Sequence, residues 1–441
     1  MLEVSIFHTL EAVAAYRAQL AELNRASRQK SPFTTLEFFE NYLQHDEFYV
    51  VGKDLEVWFL IAFEAGAPVG YLALRRVRER AFGLSAAKLE FLATHDVERP
   101  HAVCKPEDEA RCIEAFYRAL LERKADWSML ELKQQAPDAQ LLFMPASLPL
   151  SAHYVRPFES MTVSVIHNRF TDVLGYLNAM EKKARSNVKR QLRNLLAAGE
   201  VRYLYSEDPE ATPLLLDLYL DVERHSWKAR VGGTIHRDER RIAFFRGMLA
   251  ATMPFRIGIG LLLLDGVPIA GSIVNAYERR LHATQVVFDD RFSRLTPGTL
   301  LFAMLMKETI DTKAEHLDLM SGFSYYKSRW LAETTDCQSL QIFRVGSALF
   351  YKAIAGDLRR KLEERLRGPI DLEAENVAKH ESAVEAAGIA GEGAPADRRI
   401  VETRLATLAT KAVRAVTAAE LDAFFDVGLA KHRPDARRLA S

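Results

Sequence analysis

Four stretches of the 441-residue chain carry side chains whose types and spacing suit chemistry. The first is Asp289-Asp290-Arg291-Phe292-Ser293-Arg294-Leu295-Thr296-Pro297-Gly298-Thr299-Leu300. It follows a strand-like run, Val286-Val287-Phe288, and precedes a helix rich in Leu and Met. A Pro-Gly-Thr start leaves helix backbone N–H groups open with little side-chain obstruction, which suits a phosphate or pyrophosphate, and Arg291 and Arg294 add positive charge. The same punctuation also opens ordinary helices. The second stretch, Lys182 to Arg193, has six basic residues in twelve and no acidic one. On a helix, Lys182, Arg185, Lys189 and Arg193 share one face, while Ala184, Val188 and Leu195 point the opposite way. This predicts a cationic ridge for a polyanion; its plain alternative is a solvated helix face. The third is Ser321-Gly322-Phe323-Ser324-Tyr325-Tyr326-Lys327, directly after an apolar strand that contains Asp318. Tyr325 or Tyr326 can serve as a general acid there and Lys327 as a cation, unless the aromatic residues only pack. The fourth is Asp221-Val222-Glu223-Arg224-His225-Ser226-Trp227-Lys228 with Gly232-Gly233 beyond it. A helix ending in titratable groups beside a flexible loop can line a substrate pocket, although a lone His is more often a hydrogen-bonded structural residue.

The elements that must position these residues repeat. Trp58 to Phe63 leads into Gly66-Ala67-Pro68-Val69-Gly70, and 200 residues later Leu261 to Asp265 leads into Gly266-Val267-Pro268-Ile269-Ala270-Gly271. Each reads as strand, tight turn, strand. A second echo sets Lys124-Ala125-Asp126 before a strand at 127–132, and Lys313-Ala314-Glu315 before one at 316–320, each after a helical stretch. The shared order predicts two mixed α/β units, at 1–160 and 161–348. The place in the first unit that matches the phosphate loop, Cys104-Lys105-Pro106-Glu107-Asp108-Glu109, is acidic and lacks the glycine, so no cofactor is expected there. Residues 349–441 read as a helical tail with a linker at 371–400, and Val401, Leu405, Leu408, Ala412 and Val416 recur at helical spacing. That amphipathic segment needs a partner surface, which a second protein could supply.

Lys and Arg (59) balance Asp and Glu (59), which excludes a protein governed by overall basicity but not a local cationic site. Three cysteines are too few and scattered for a disulfide framework or a zinc site. No secretory leader and no membrane-length apolar run is evident, so a cytoplasmic, soluble protein is expected without stable membrane insertion. Serine-hydrolase elbows, nucleotide-binding glycine fingerprints and metal motifs are not found, and no metal is expected.

Taken in order, these segments resemble the GNAT-type acyltransferases of the FemAB-like, CelD-type group associated with bacterial cellulose and exopolysaccharide biosynthesis. The matching residues are Lys182 to Arg193 with Ala198-Gly199-Glu200-Val201, His225-Ser226-Trp227, Asp265 to Gly271, Phe288 to Leu301, and Asp318 to Gly322 with Tyr326-Lys327; Ser31-Pro32-Phe33-Thr34-Thr35 adds an N-terminal likeness. The resemblance covers roughly 20–345 and leaves the tail out. It implies tandem GNAT-like folds, each a twisted mixed sheet flanked by helices, with acetyl-CoA or another acyl-CoA as co-substrate of the second. The pantetheine would pair with Val286, Val287 and Phe288, and the pyrophosphate would meet Arg291, Arg294, Thr296, Gly298 and Thr299. Tyr326 or Tyr325 would protonate the departing thiolate. Glu223, His225 or Asp289 would take the acceptor's proton. Arg185, Lys189, Arg193, Trp227, Asp318 and Lys327 are expected on the substrate side. The loop has fewer glycines and arginines than is usual in the family. The expected activity is transfer of an acetyl or longer acyl group to an amine, an amino sugar of an envelope or exopolysaccharide precursor. The alternatives are an aminoacyl-tRNA-dependent transferase, with tRNA on the ridge at 182–193, and a degenerate regulatory module.

Overall fold

The computed structural model describes residues 2–45, 55–94, 97, 99–144, 152–231, 234–321, 327, 329–367 and 398–427. They belong to two compact units, 1–163 with 334–378 and 164–333 with 379–441.

In the first unit, strand β1 (Glu3–Phe7) and helices α1 (Arg17–Ala26) and α2 (Leu36–His45) precede a hairpin of β2 (Glu56–Glu64) and β3 (Ala67–Ala81). The meander continues in β4 (Leu84–Phe91), with a short β5 (Val103–Cys104) beside β3. Helix α3 (Glu109–Glu122) then crosses to β6 (Met129–Gln135), which runs parallel to β4. Leu60, Leu72, Phe116 and Trp127 form the centre of this unit's core. Strand β7 (His153–His167) leads onward.

The second unit repeats that order. Helices α4 (Val173–Ala179) and α5 (Lys182–Leu196) precede β8 (Val201–Ser206), and α6 (Thr212–Arg224), α7 (Trp227–Val231) and α8 (Glu239–Met248) follow it. Strands β9 (Arg256–Leu264), β10 (Val267–Tyr277) and β11 (Arg280–Phe288) form the meander, and α9 (Pro297–Asp311) crosses to the parallel β12 (His316–Ser321). Leu262, Val274, Leu301 and Met304 bury one face of the sheet under α9. Leu215, Leu216 and Tyr219 of α6 are buried on a helix that packs on β9 and β10. Gly271 admits that helix: a Cβ there would stand 2.8 Å from the Tyr219 ring.

The two hairpins agree in detail. Ala65-Gly66 has φ of 48° and 81°, and Asp265-Gly266 has 49° and 78°, so both are two-residue turns with both residues left-handed. Each hairpin also has a bulge just after its proline, where the register skips Val69 in one and Ile269 in the other. The structure thus bears out a mixed α/β chain with twice the same meander-and-crossover order.

The ends of the units differ from expectation. The sequence order places residues 334–348 in the second unit, but β13 (Glu333–Arg344) pairs antiparallel with β6 in the first. There Ile342 and Phe343 are buried, and the sheet order becomes β1-β2-β3-β4-β6-β13. Helix α10 (Ala348–Arg367) stays with that unit, tied by Asp357 to Arg156. The rest of the tail is no appendage. Helix α11 (Arg398–Leu408), β14 (Arg414–Thr417) and α12 (Ala418–Phe425) belong to the second unit. Val416, expected on a helix, lies in a strand that pairs with β8, giving the order β14-β8-β9-β10-β11-β12. Leu421 and Phe425 are fully buried in that unit's core. The linker at 371–397 lies outside the described residues. Among the described residues no helix is long and apolar enough to cross a membrane.

Candidate active site around the open edge of β11

Strand β11 has a full partner on one side only. Toward β10 it pairs from Arg280 to Phe288 with one bulge that skips Thr284, whereas toward β12 the pairs are Arg280↔His316, Leu281↔Leu317 and His282↔Asp318. Beyond His282 the two parallel strands part, so Ala283 to Phe288 have no strand partner on that side among the described residues. Asp289 N donates to Ile269 O at 2.9 Å, and by antiparallel alternation the main-chain groups of Val286 and Phe288 face the open side. The first unit lacks this opening. Its β4 starts at Leu84 as β11 starts at Arg280, but β6 pairs with Lys88, Leu89 and Glu90, four residues further along.

The open strand runs into the expected phosphate loop. Asp290–Leu295 forms a 3-10 turn, and Thr296 breaks it with φ 50° and ψ 51° before Pro297 starts α9. A left-handed β-branched residue is strained, and the Thr296 side chain makes no capping bond to offset that strain. Gly298 and Thr299 follow in the first turn, and the Thr299 hydroxyl donates to Gln191 Oε1 of α5 at 2.9 Å. Arg294 is exposed and has no carboxylate partner among the described residues. Arg291 is corrected as a free phosphate ligand. Its Nε donates to both oxygens of Asp289 at 3.0 Å, and its Nη2 to Oδ2 at 2.5 Å.

That clamp also corrects Asp289 as the base, since its carboxylate is buried and neutralised. Glu223 is corrected for a similar reason: it is 1% exposed, and its Oε2 accepts from His236 N at 2.9 Å and lies 3.0 Å from His236 Nδ1. His236 went unnoticed in the sequence because Glu223 reaches it over a loop turn. His225 Nδ1 lies 3.0 Å from Asp221 O, one helical turn back, and His225 O accepts from Asp290 N at 3.1 Å. Burial raises the Asp221 carboxyl above its usual range, while Arg224 and Arg404 draw it down. His225, Asp221, Asp289 and Arg291 line a cavity of about 880 Å³ under α11. Trp227 begins α7, whose Lys228 Nζ reaches Gln285 Oε1 of β11 at 3.1 Å.

The fork where β11 and β12 part carries polar side chains in register. Asn275 of β10 stands opposite His282 of β11, and His282 opposite Asp318 of β12. All three are at least 94% buried, and His282 Nδ1 lies 3.5 Å from Asp318 Oδ2. Asp318 Oδ1 also accepts from Met320 N at 2.9 Å. Burying polar groups is costly, so a polar row where the sheet opens marks a site. The sequence offered no signal for His282. Its partners lie 7 and 36 residues away and meet it only through strand register.

Lys327, expected on the substrate side, is corrected to a structural role. It is buried, and its ammonium donates to Leu319 O, Met320 O and Ser321 O at 2.8, 3.2 and 2.6 Å, capping the end of β12. Tyr325 and Tyr326 lie outside the described residues. The basic face of α5 divides. Lys189 Nζ bonds Asp426 O at 3.1 Å and Arg193 Nε bonds Val427 O at 2.9 Å, so these two side chains are engaged by the residues that end α12. Arg185 donates to Asn178 O at 2.8 Å.

Residues 182–328, one third of the chain, match a family model described as an acetyltransferase (GNAT) domain. The matched segment spans α5 to Ser328, and with it the opened fork and the phosphate loop. Among solved structures, the crystal structure of FemX is 10% identical, covers 77% of this chain and 96% of its own, and superposes with a TM-score of 0.51. The C-terminal domain of a putative lysylphosphatidylglycerol synthetase from Agrobacterium fabrum is 14% identical over 79% of this chain and 97% of its own, with a TM-score of 0.46. A tandem GNAT protein from the clavulanic acid biosynthesis pathway is 12% identical over 79% and 99%, with a TM-score of 0.44. At these identities the FemX likeness speaks for the fold alone. No curated protein matches the chain.

Proposed function

We propose that the protein is an acyltransferase that moves an acetyl or longer acyl group from coenzyme A to an amine, with the second unit as its catalytic part. The observation that carries this reading is the parting of β11 and β12 next to the first turn of α9, within the segment that matches the acetyltransferase (GNAT) domain. An extended pantetheine can add to the free edge of β11 beside Val286 and Phe288, and the α9 N-terminus with Arg294 can take the pyrophosphate. His282, held by Asp318, accepts the proton as the amine nitrogen attacks the thioester carbon. The C–S bond then breaks, and the thiolate takes a proton from Tyr326, or from Tyr325 beside it. The acceptor we put first is an amino sugar of an envelope or exopolysaccharide precursor, as in the FemAB-like, CelD-type group that the sequence resembles.

Calorimetry of the purified chain with acetyl-CoA and with longer acyl-CoAs tests the donor. Binding of at least one is expected, and no heat with any of them overturns the reading.

A further inference from the structure

With Lys189 and Arg193 engaged by the tail and Arg185 by Asn178 O, three cations of α5 are left without an ion-pair partner among the described residues. Lys182 and Lys183 make no ion pair, and Arg190 donates only to Asn187 Oδ1 at 2.8 Å. All three line an open groove of about 1000 Å³ that also includes Arg329, Ala184 and Leu331. Their charge is uncomfortable there. Lys182 and Lys183 occupy the first turn of a helix, where the backbone dipole is already positive, and the preceding Glu181 supplies no side-chain cap. Mutual repulsion adds to that cost, and the single carboxylate lining the groove, Glu181, cannot balance all three. An external anion would.

The position of the groove selects the anion. Ala184, Asn187 and Gln191 follow one stripe of α5 at three- and four-residue intervals. Gln191 is the residue that takes the Thr299 hydroxyl at the start of α9. The groove therefore leads, over about 6 Å of helix axis between Asn187 and Gln191, to the place proposed for the pyrophosphate. We infer that this groove holds the ribose 3′-phosphate of coenzyme A through Lys182, Lys183 and Arg190, with Ala184 and Leu331 as an apolar surface for the adenine. The inference rests on the acyl-CoA reading above. A phosphomonoester carries close to two negative charges at neutral pH, more than either pyrophosphate oxygen group, and is the natural counterpart of three clustered cations.

Calorimetry with acetyl-CoA and with 3′-dephospho-acetyl-CoA, on the full chain and on a Lys183→Gln/Arg190→Gln double variant, tests it. Both substituted side chains are exposed, and a thermal melt checks that the variant folds as the parent does. The parent should bind acetyl-CoA at least about tenfold more tightly than the dephospho form. The double variant should bind the two alike, with its affinity for the dephospho form unchanged. Equal binding of both forms by the parent, or discrimination that survives in the variant, overturns the inference and leaves the acyl-CoA reading standing. Failure of the parent to bind either form removes both. An RNA hairpin that binds the parent and not the variant, with no discrimination between the two coenzyme forms, assigns the groove to nucleic acid and also overturns it.

Discussion

Asn275, His282 and Asp318 lie in a sheet whose other buried positions are mostly aliphatic, and they do so at the fork where the sheet opens. His282→Ala should lower acyl transfer by about 10²–10⁴-fold, the ordinary worth of a general base, while the affinity for acetyl-CoA stays unchanged. Steady-state kinetics on the amine found in an acceptor screen, beside calorimetry, separates the two; unchanged turnover would remove His282 from the mechanism. A residue of the first unit answers a different question. Glu90 is largely buried, which opposes its ionisation, yet Arg75 and Lys88 hold its carboxyl below the usual range. A lowered folded value means that its contribution is complete at neutral pH and is lost as acid protonates it, below the ordinary carboxylate range. Glu90→Gln should therefore cost about 1–3 kcal/mol at pH 7 in urea unfolding, and the gap from the parent should narrow as pH falls below the ordinary carboxylate range. A gap independent of pH would mean that packing, and not charge, is what the side chain supplies.

Elements were legible in the sequence wherever local chemistry announced them. The Asp-Gly turn at 265–266 and the Pro-Gly start of α9 each force a backbone state, and the repeat of Gly-x-Pro-x-Gly or Gly-x-Pro-x-Ala-Gly exposed the duplicated hairpin. Long-range pairing left no such trace. The tail's spacing of apolar residues suited a helix as far as Leu408. Val416 lies in β14, whose four residues are too few to show alternation. Likewise the basic periodicity of α5 shows a cationic face, but which of its cations meet the tail depends on where α12 ends. This element has a measurable weight. Phe425 is fully buried among Leu421, Val416 and α4, so Phe425→Ala should destabilise the second unit by about 3–5 kcal/mol. Thermal unfolding measures it, and a loss under 1 kcal/mol would return the tail to the status of an appendage.

At the scale of the whole molecule the chain uses one topology twice and opens it once. The four-residue difference in where β6 and β12 meet their partners closes the first unit's sheet at the place where the second unit's is free. The acidic Glu107-Asp108-Glu109 segment before α3 agrees with this, because it would repel the phosphates that α9 is proposed to receive. One acyl-CoA per chain is therefore expected, and a calorimetric stoichiometry of two would show that the first unit binds as well.

Neither unit can be completed from a continuous stretch of chain. The first waits for β13, which is added to β6 only after about 200 further residues have been made, and the second waits for β14 and the burial of Phe425. At about 5–20 residues per second, β6 is left as a bare edge for roughly 10–40 s of synthesis. A ribosome that stalls between 164 and 333 would hold a nascent protein with a complete meander and a sticky rim. A chaperone that covers an exposed strand edge on the emerging chain would protect it during that interval. Moving the coding sequence for β13 forward, to follow β6 directly, should shorten that interval.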